Sequence, residues 1–214
     1  MSPEVVIIDS GICNLFNIRR AFENLGAKVV ISCDRKQILG APRVILPGVG
    51  AFGSGMKNLE RLELVSTLRD YVSSGKPLFG ICLGMQMLLS HSEEHGIWDG
   101  LGIIPGRVRR FREANDNTPS YKIPQIGWNT LEPTEKGWSG SLLDGITQPI
   151  SVYFVHSYVV EPASRGVVLA RTFYGQDDFC SVLANDNILA CQFHPERSGP
   201  VGLKILENFL NLGN

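Results

Sequence analysis

No stretch of this 214-residue chain is apolar over the roughly 20 residues that a bilayer-crossing helix requires, so a membrane-spanning reading is excluded at the level of sequence. The start, MSPEVVIIDSG, goes straight into an apolar strand and lacks the basic leader and cleavage pattern of a secretory signal. The five cysteines (Cys13, Cys33, Cys82, Cys180 and Cys191) are odd in number, scattered and free of any CxxC pair. That argues against a disulfide framework and for a reducing, cytoplasmic setting. Charge of neither sign dominates: 20 Lys and Arg against 21 Asp and Glu leave a net charge of −1. Such a balance gives no general attraction to nucleic acid or to an anionic membrane. With 43% hydrophobic and 19% charged residues the chain has too large an apolar share to be disordered. Repeats, low-complexity tracts and linkers are missing too, so one domain over 1–214 is expected.

What is present alternates. VVIID (5–9) is a buried strand by its continuous β-branched run. Leu15, Ile18, Phe22 and Leu25 then recur at helical spacing, and Gly26 closes that helix. Strands at 29–32 and 44–47 follow. Met56, Leu59, Leu62, Val65, Leu68 and Val72 read as one long helix ending near Gly75. PLFGIC (77–82) is a strand, and 83–95 reads as a helix capped by Gly96. From about 102 the pattern turns β-rich, with 112–121 as a mobile loop, and a final amphipathic helix uses Leu203, Leu206 and Leu210. The expected fold is α/β, a single domain whose mixed, largely parallel central sheet carries helices on both faces.

Gly80-Ile81-Cys82-Leu83-Gly84 is the sharpest local feature. A thiol at a strand-to-helix turn, with small residues two before and two after it, has the pattern of a nucleophile elbow. The glycines relieve crowding in the turn, the helix start favours thiolate over thiol, and the backbone N–H of Leu83 is placed to receive an oxyanion. The plainer alternative makes Cys82 one more buried small hydrophobe, like Cys33 and Cys191. A thiolate needs a base, and a base needs an orienting acceptor. His194 ends an apolar strand, Pro195 stops it, and Glu196 lies two residues on, where extended chain would point both side chains the same way. VILPGVGAFGSG (44–55) adds a glycine-rich loop after a strand. Gly48 and Gly50 permit backbone torsions that aim an N–H at an oxyanion.

PGVGAF (47–52), GICLGMQ (80–86), GWN (127–129), YFVHSY (153–158) and QFHPERSG (192–199) together resemble the class I glutamine amidotransferases. Among these, the resemblance is to the glutaminase subunits of imidazole glycerol phosphate synthases. It covers nearly the whole chain in order. It implies Cys82 as nucleophile, His194 as base and Glu196 as its orienter, with no cofactor and no metal. It implies that Gln86, Ser157, Tyr158 and the Gly48-Val49-Gly50 backbone hold glutamine, the last completing the oxyanion hole. It also implies a heterodimer with a barrel-shaped cyclase that receives ammonia through a tunnel, with Asn14, Trp128 and Asn129 near the partner. Two departures stand out: Gln125 where the family commonly has histidine, and Cys13 where it has a smaller residue. Both leave open a paralogous glutaminase serving another synthase, such as one amidating bacterial surface sugars.

Other signals compete. Gly48 to Gly53 satisfies GxGxxG, but the acidic residue due about 20 positions later is Asp70, inside a helical pattern. His91-Ser92-Glu93-Glu94-His95 satisfies HxxEH, a zinc-hydrolase signature, but in the last turn before Gly96 and without an obvious third ligand. His156 reads first as a core or pocket-lining histidine and second as a glutamine contact. Tyr153, Phe154 and Tyr158 read as core. Arg107, Arg109, Arg110 and Arg112 read as the solvated face of a strand before a docking surface. A non-catalytic scaffold subunit is disfavoured because all three triad residues are present.

Overall fold

The computed structural model describes residues 4–11, 15–115, 120–135 and 137–212. In chain order the first half holds β1 (Glu4–Ile8), α1 (Leu15–Asn24), β2 (Lys28–Ser32), α2 (Arg35–Gly40), β3 (Val44–Gly48), α3 (Phe52–Arg61), α4 (Leu64–Ser73), β4 (Leu78–Cys82) and α5 (Leu83–Met87). The second half holds β5 (Leu89–Ser92), β6 (Trp98–Asp99), β7 (Ile104–Arg110), β8 (Gln125–Thr130), β9 (Glu132–Pro133), β10 (Ser151–His156), β11 (Tyr158–Pro162), β12 (Val168–Tyr174), β13 (Asp177–Asn185), β14 (Ile188–Cys191) and α6 (Gly199–Asn211).

The principal sheet runs β2-β1-β3-β4-β14-β13-β11-β7-β5-β6, with β12 against β13 and β9 against β12; β10 and β8 form a separate pair. Its parallel part, β2-β1-β3-β4-β14, is made of strands such as VILPG and LFGIC that are buried at every residue. Strands covered on both faces read as continuous apolar runs for this reason. Alternate side chains feed two cores. Val5 and Ile7 join Ile18 and Phe22 of α1, Phe209 of α6 and Phe154 of β10. Val6 and Ile8 join Ile38, Met56, Leu59, Leu68 and Tyr71 of α2, α3 and α4. Helices therefore cover both faces, as expected from the alternation of elements.

In the register, Gly48 lies opposite Cys82 and Ile81 opposite Cys191. Three adjacent parallel strands therefore end at one edge of the sheet, where crevices of open α/β sheets bind ligands.

Several expectations change. The long helix over 56–72 is two helices, because Glu63 adopts φ 55° between α3 and α4. A straight helix would put Leu59 and Leu64 on different faces; the break re-phases the stripe so that both are fully buried. The helix expected over 83–95 stops at Met87, and the chain continues as β5, which pairs with β7. Residues 83–87 are all buried and have no polar face to prolong a surface helix. The run 151–160 breaks at Ser157, giving β10 to the small sheet and β11 to the large one. Cys33 is exposed rather than buried, while Cys191 is buried as expected. Of the loop 112–121, residues 116–119 lie outside the described residues. Its flanks are tied down: Arg112 N–H donates to Asp177 Oδ2 and the Tyr121 hydroxyl to the Arg112 carbonyl.

Candidate active site

Cys82 is the last residue of β4 and the cap of α5, with φ 55° and ψ −112°. A non-glycine residue in that region is strained and persists only where the surroundings over-determine it. The surroundings do so by close packing. A Cβ on Gly84 would stand 1.8 Å from the Leu46 carbonyl oxygen, and one on Gly80 would stand 3.0 Å from the Met85 nitrogen. A Cβ on Gly48 would meet Leu83 Cβ at 2.9 Å. The glycines thus let β3 and α5 press against the turn from both sides, which holds the thiol up at the sheet edge.

His194 and Glu196 follow β14. The expectation that extended chain aligns them is corrected: Pro195–Arg197 is a 3-10 turn, and the turn brings the carboxylate back onto the ring. His194 Nδ1 and Glu196 Oε1 are 2.8 Å apart with both side chains nearly buried. Ser198 pins the backbone here, its hydroxyl donating to the His194 carbonyl at 2.7 Å and accepting from Tyr153 N–H at 3.0 Å. His194 Nε2 is buried and meets no partner by hydrogen-bond geometry, so it remains open towards the thiol. Burial alone would lower the imidazole pKa. The Cys82 sulfur and the Glu196 carboxylate outweigh it and push it up to about 10. The arrangement favours an imidazolium beside sulfur, the state from which a proton can be delivered to a leaving nitrogen.

A cavity of about 690 Å³ opens over the sulfur, lined by Cys82 and His194, and by Val49, Gly50, Leu83, Gln86, Ser157 and Tyr158 among the other expected residues. Gly48 and Glu196 instead line a second cavity of about 90 Å³ behind them. His156 reaches the main cavity from an aromatic box of Phe111, Phe154 and Phe179. Burial depresses its pKa to about 4, against the opposing hydrogen bond to the Tyr158 carbonyl at 2.8 Å. Of the aromatic run 153–158 only Phe154 is core; Tyr158 faces the cavity, and Tyr153 meets Trp128 edge-on and lies under the Arg197 guanidinium at 4.2 Å. Trp128 is 58% exposed, and Asn129 donates to the Phe173 carbonyl. Asn14 lies outside the described residues.

Some lining residues were hidden in signals read otherwise. Glu94 and His95 belong to the HxxEH run, but His91 sits on β5 and His95 in the turn beyond it, so the two do not share a helix face. Glu94 enters the cavity and accepts from Phe52 N–H at the start of α3 (2.6 Å). Arg110 also enters it, whereas Arg109 is mostly buried against Glu161 and Asp177 and Arg107 pairs with Glu161 and Glu93. The arginine run is therefore a paired network with one member in the cavity, not a uniformly solvated face. Gln192 opens the QFHPERSG segment but was assigned no role there, yet its Nε2 lies 3.8 Å from Cys82 Sγ.

A strained elbow thiol, a buried His–Glu pair and a sheet-edge cavity define a site built for acyl transfer. The chain belongs to the class I glutamine amidotransferases, whose family model matches residues 6–212. It is 45% identical over 208 residues to the imidazole glycerol phosphate synthase subunit HisH of Chlorobium chlorochromatii, covering 97% of this chain and 100% of that one. It is 43% identical over 210 residues to the imidazole glycerol phosphate synthase subunit HisH 1 of Legionella pneumophila strain Lens, covering 97% and 99%. Among solved structures, a crystal structure of a glutamine amidotransferase superposes with a TM-score of 0.72 at 22% identity, covering 97% of each chain. The structure of PurLQS from Thermotoga maritima superposes with a TM-score of 0.70 at 17% identity over 99% of each chain. These two likenesses concern the fold.

Proposed function

We propose that this chain, as one domain over 1–214, is the glutaminase subunit of an imidazole glycerol phosphate synthase. In this reading it releases ammonia from glutamine for a cyclase partner in histidine biosynthesis. The observation that carries the chemistry is the Cys82 thiol held on its elbow within one cavity with His194, whose other ring nitrogen is fixed by Glu196. The Cys82 thiolate attacks the side-chain carboxamide of glutamine. The oxyanion accepts from the backbone N–H groups of Leu83 and the 48–50 loop. Imidazolium His194 gives its proton to the leaving nitrogen, and ammonia departs from a glutamyl thioester. His194 then takes a proton from water, which attacks the thioester and frees glutamate and the thiol. Gln86, Ser157 and Tyr158 form the pocket wall. Glu94 and Arg110 supply opposite charges that suit the α-ammonium and α-carboxylate of an amino acid.

The partner half of the proposal rests on the surface around the mouth. Ile126, Trp128 and Phe173 are large apolar side chains more than half exposed. A groove of about 560 Å³ lined by Lys122, Ile123, Pro124, Ile126 and Tyr174 adjoins the active-site cavity through Pro124. Exposed apolar clusters of this kind mark protein contact sites. Among the described residues no helix is long and apolar enough to cross a membrane. We place the enzyme in the cytoplasm, where its cysteines stay reduced.

The test is peptide mass spectrometry after exposure to an electrophilic glutamine analogue, alone and with the cyclase and its nucleotide ligand. A single adduct on Cys82 that glutamine blocks, and that is absent from Cys82→Ala, is the expected result. Glutaminase turnover in Cys82→Ala would overturn the mechanism. Failure of the cyclase to bind or stimulate would overturn the partner assignment alone.

A further inference from the structure

The buried amide of Gln192 has no part in the triad, and its orientation can be worked out from its neighbours. The nitrogen and oxygen of a side-chain amide are told apart only by what they meet. The chain of reasoning starts at the Tyr158 carbonyl, which can only accept. The Gln86 atom 3.0 Å from it must therefore be Nε2. That same nitrogen lies 3.1 Å from a Gln192 atom, which must in turn accept and is Oε1. This leaves Gln192 Nε2 pointed at Cys82 Sγ, 3.8 Å away. Turning the Gln192 amide over would set two donors against each other where Gln192 is 0% and Gln86 5% exposed. Unsatisfied polar groups at such depth are costly.

We propose that Gln192 is a built-in hydrogen-bond donor to the Cys82 thiolate, with Gln86 as the positioning residue that fixes its amide against the Tyr158 carbonyl. The proposal rests on Cys82 being the nucleophile and adds a second support for its ionised form besides His194. A hydrogen bond to a charged group is stronger than one to a neutral group, so an N–H held at sulfur favours thiolate over thiol. The same relay gives Gln86 a role beyond lining the pocket: it joins the glutamine-binding wall to the reacting sulfur through two hydrogen bonds. Other ionisable groups also face this region. His194, Glu196 and Cys191 belong to β14 and its following turn. Glu94, His95, Arg110, His156 and Tyr158 come from the cavity wall. A neutral substitution at 192 adds no charge beside any of them.

The experiment is the rate of Cys82 alkylation by iodoacetamide, read by peptide mass spectrometry so that exposed Cys33 does not interfere, across mildly acidic to alkaline pH. In Gln192→Met the rate at neutral pH should fall about tenfold, the profile should move to higher pH, and the two proteins should converge once the thiol is fully ionised. Gln192→Glu keeps an acceptor for Gln86 but, as a carboxylate, offers sulfur no donor and adds a negative charge beside it, so it should move the profile further in the same direction. Gln86→Met, which releases the Gln192 amide, should give a smaller displacement. A purely structural role for Gln192 would leave the pH profile in place, and superimposable profiles for wild type and Gln192→Met would overturn the proposal. If that variant does not fold, as judged by circular dichroism, Gln86→Met decides by the same criterion. Labelling of wild-type Cys82 by the glutamine analogue separates the two failures. Without it the nucleophile reading falls and the relay with it; with it and unmoved profiles, only the relay falls.

Discussion

Gly48 sits directly across from Cys82 in the register of β3 and β4, close enough that a methyl group on Gly48 would press on Leu83 Cβ at 2.9 Å. The glycine-rich loop after β3 and the elbow thiol are thus neighbours through sheet pairing, although they lie 34 positions apart in sequence.

This packing separates two glycine substitutions that look alike in sequence. Gly84→Ala drives its methyl into the Leu46 carbonyl, 1.8 Å away, and should cost more than the roughly 1–3 kcal/mol of ordinary overpacking. Gly50→Ala meets nothing within 4 Å but must hold φ 90°, a strain of roughly 1–2 kcal/mol. Thermal melting with glutaminase assays should therefore find Gly84→Ala unstable. Gly50→Ala should be folded but impaired in turnover.

Glu196→Gln should remain active but slow, because it disturbs the orientation of the imidazole and not the nucleophile. It also removes a stabilising partner of charged His194. The His194 pKa is raised to about 10 from an unfolded value near 6.5. The stability this contributes is full below about pH 6.5 and is lost as pH rises towards 10. The melting-temperature gap between wild type and Glu196→Gln should therefore be widest in mild acid and shrink in alkali. A gap that grows with pH would contradict the assignment.

His156 works in the opposite sense. Its pKa is depressed to about 4, so the unfolded chain takes up a proton between about pH 6.5 and 4 while the folded chain does not. Stability should decline across that window as pH falls, by roughly 1.4 kcal/mol per pH unit from this group. His156→Phe, set among Phe111, Phe154 and Phe179, should flatten that part of the acid denaturation curve.

Asp177 is fully buried beside Arg109, at 2.7 Å, and also receives the Arg112 N–H. Arg109→Met leaves its carboxylate without that charge partner and should destabilise the protein by roughly 3–5 kcal/mol in urea unfolding. Arg107→Met breaks half-exposed pairs with Glu93 and Glu161, and should leave the urea unfolding curve close to wild type.

Trp128→Ala removes an exposed ring that meets only Tyr153 edge-on among the described aromatic pairs. Its melting temperature should stay near wild type, while the affinity for the cyclase, measured by calorimetry, should drop by about tenfold or more.

Much of this protein was legible in its sequence because local rules and tertiary demands agreed. The buried strands of the parallel sheet announce themselves as continuous β-branched runs, since both faces must be covered. The elbow glycines are legible because no side chain fits there, and His194 and Glu196 because the nucleophile needs an oriented base. Other features depended on pairing between distant segments. The helix expected over 83–95 gave way to β5 because Leu89–Ser92 pairs with β7, a partner that lies outside any local window. The break at Glu63 serves a core phase set by β1 and β3, which no local window contains. Gln192 stands beside the sulfur only because β14 lies against β4. Glu94 and Arg110 enter the cavity only because β5 and β7 pair, bringing residues 92 and 108 side by side. The sequence by itself determined which groups could do the chemistry, since residue type and turn geometry are local; the tertiary structure alone decided which of them meet, because burial and strand register are settled by the whole chain at once.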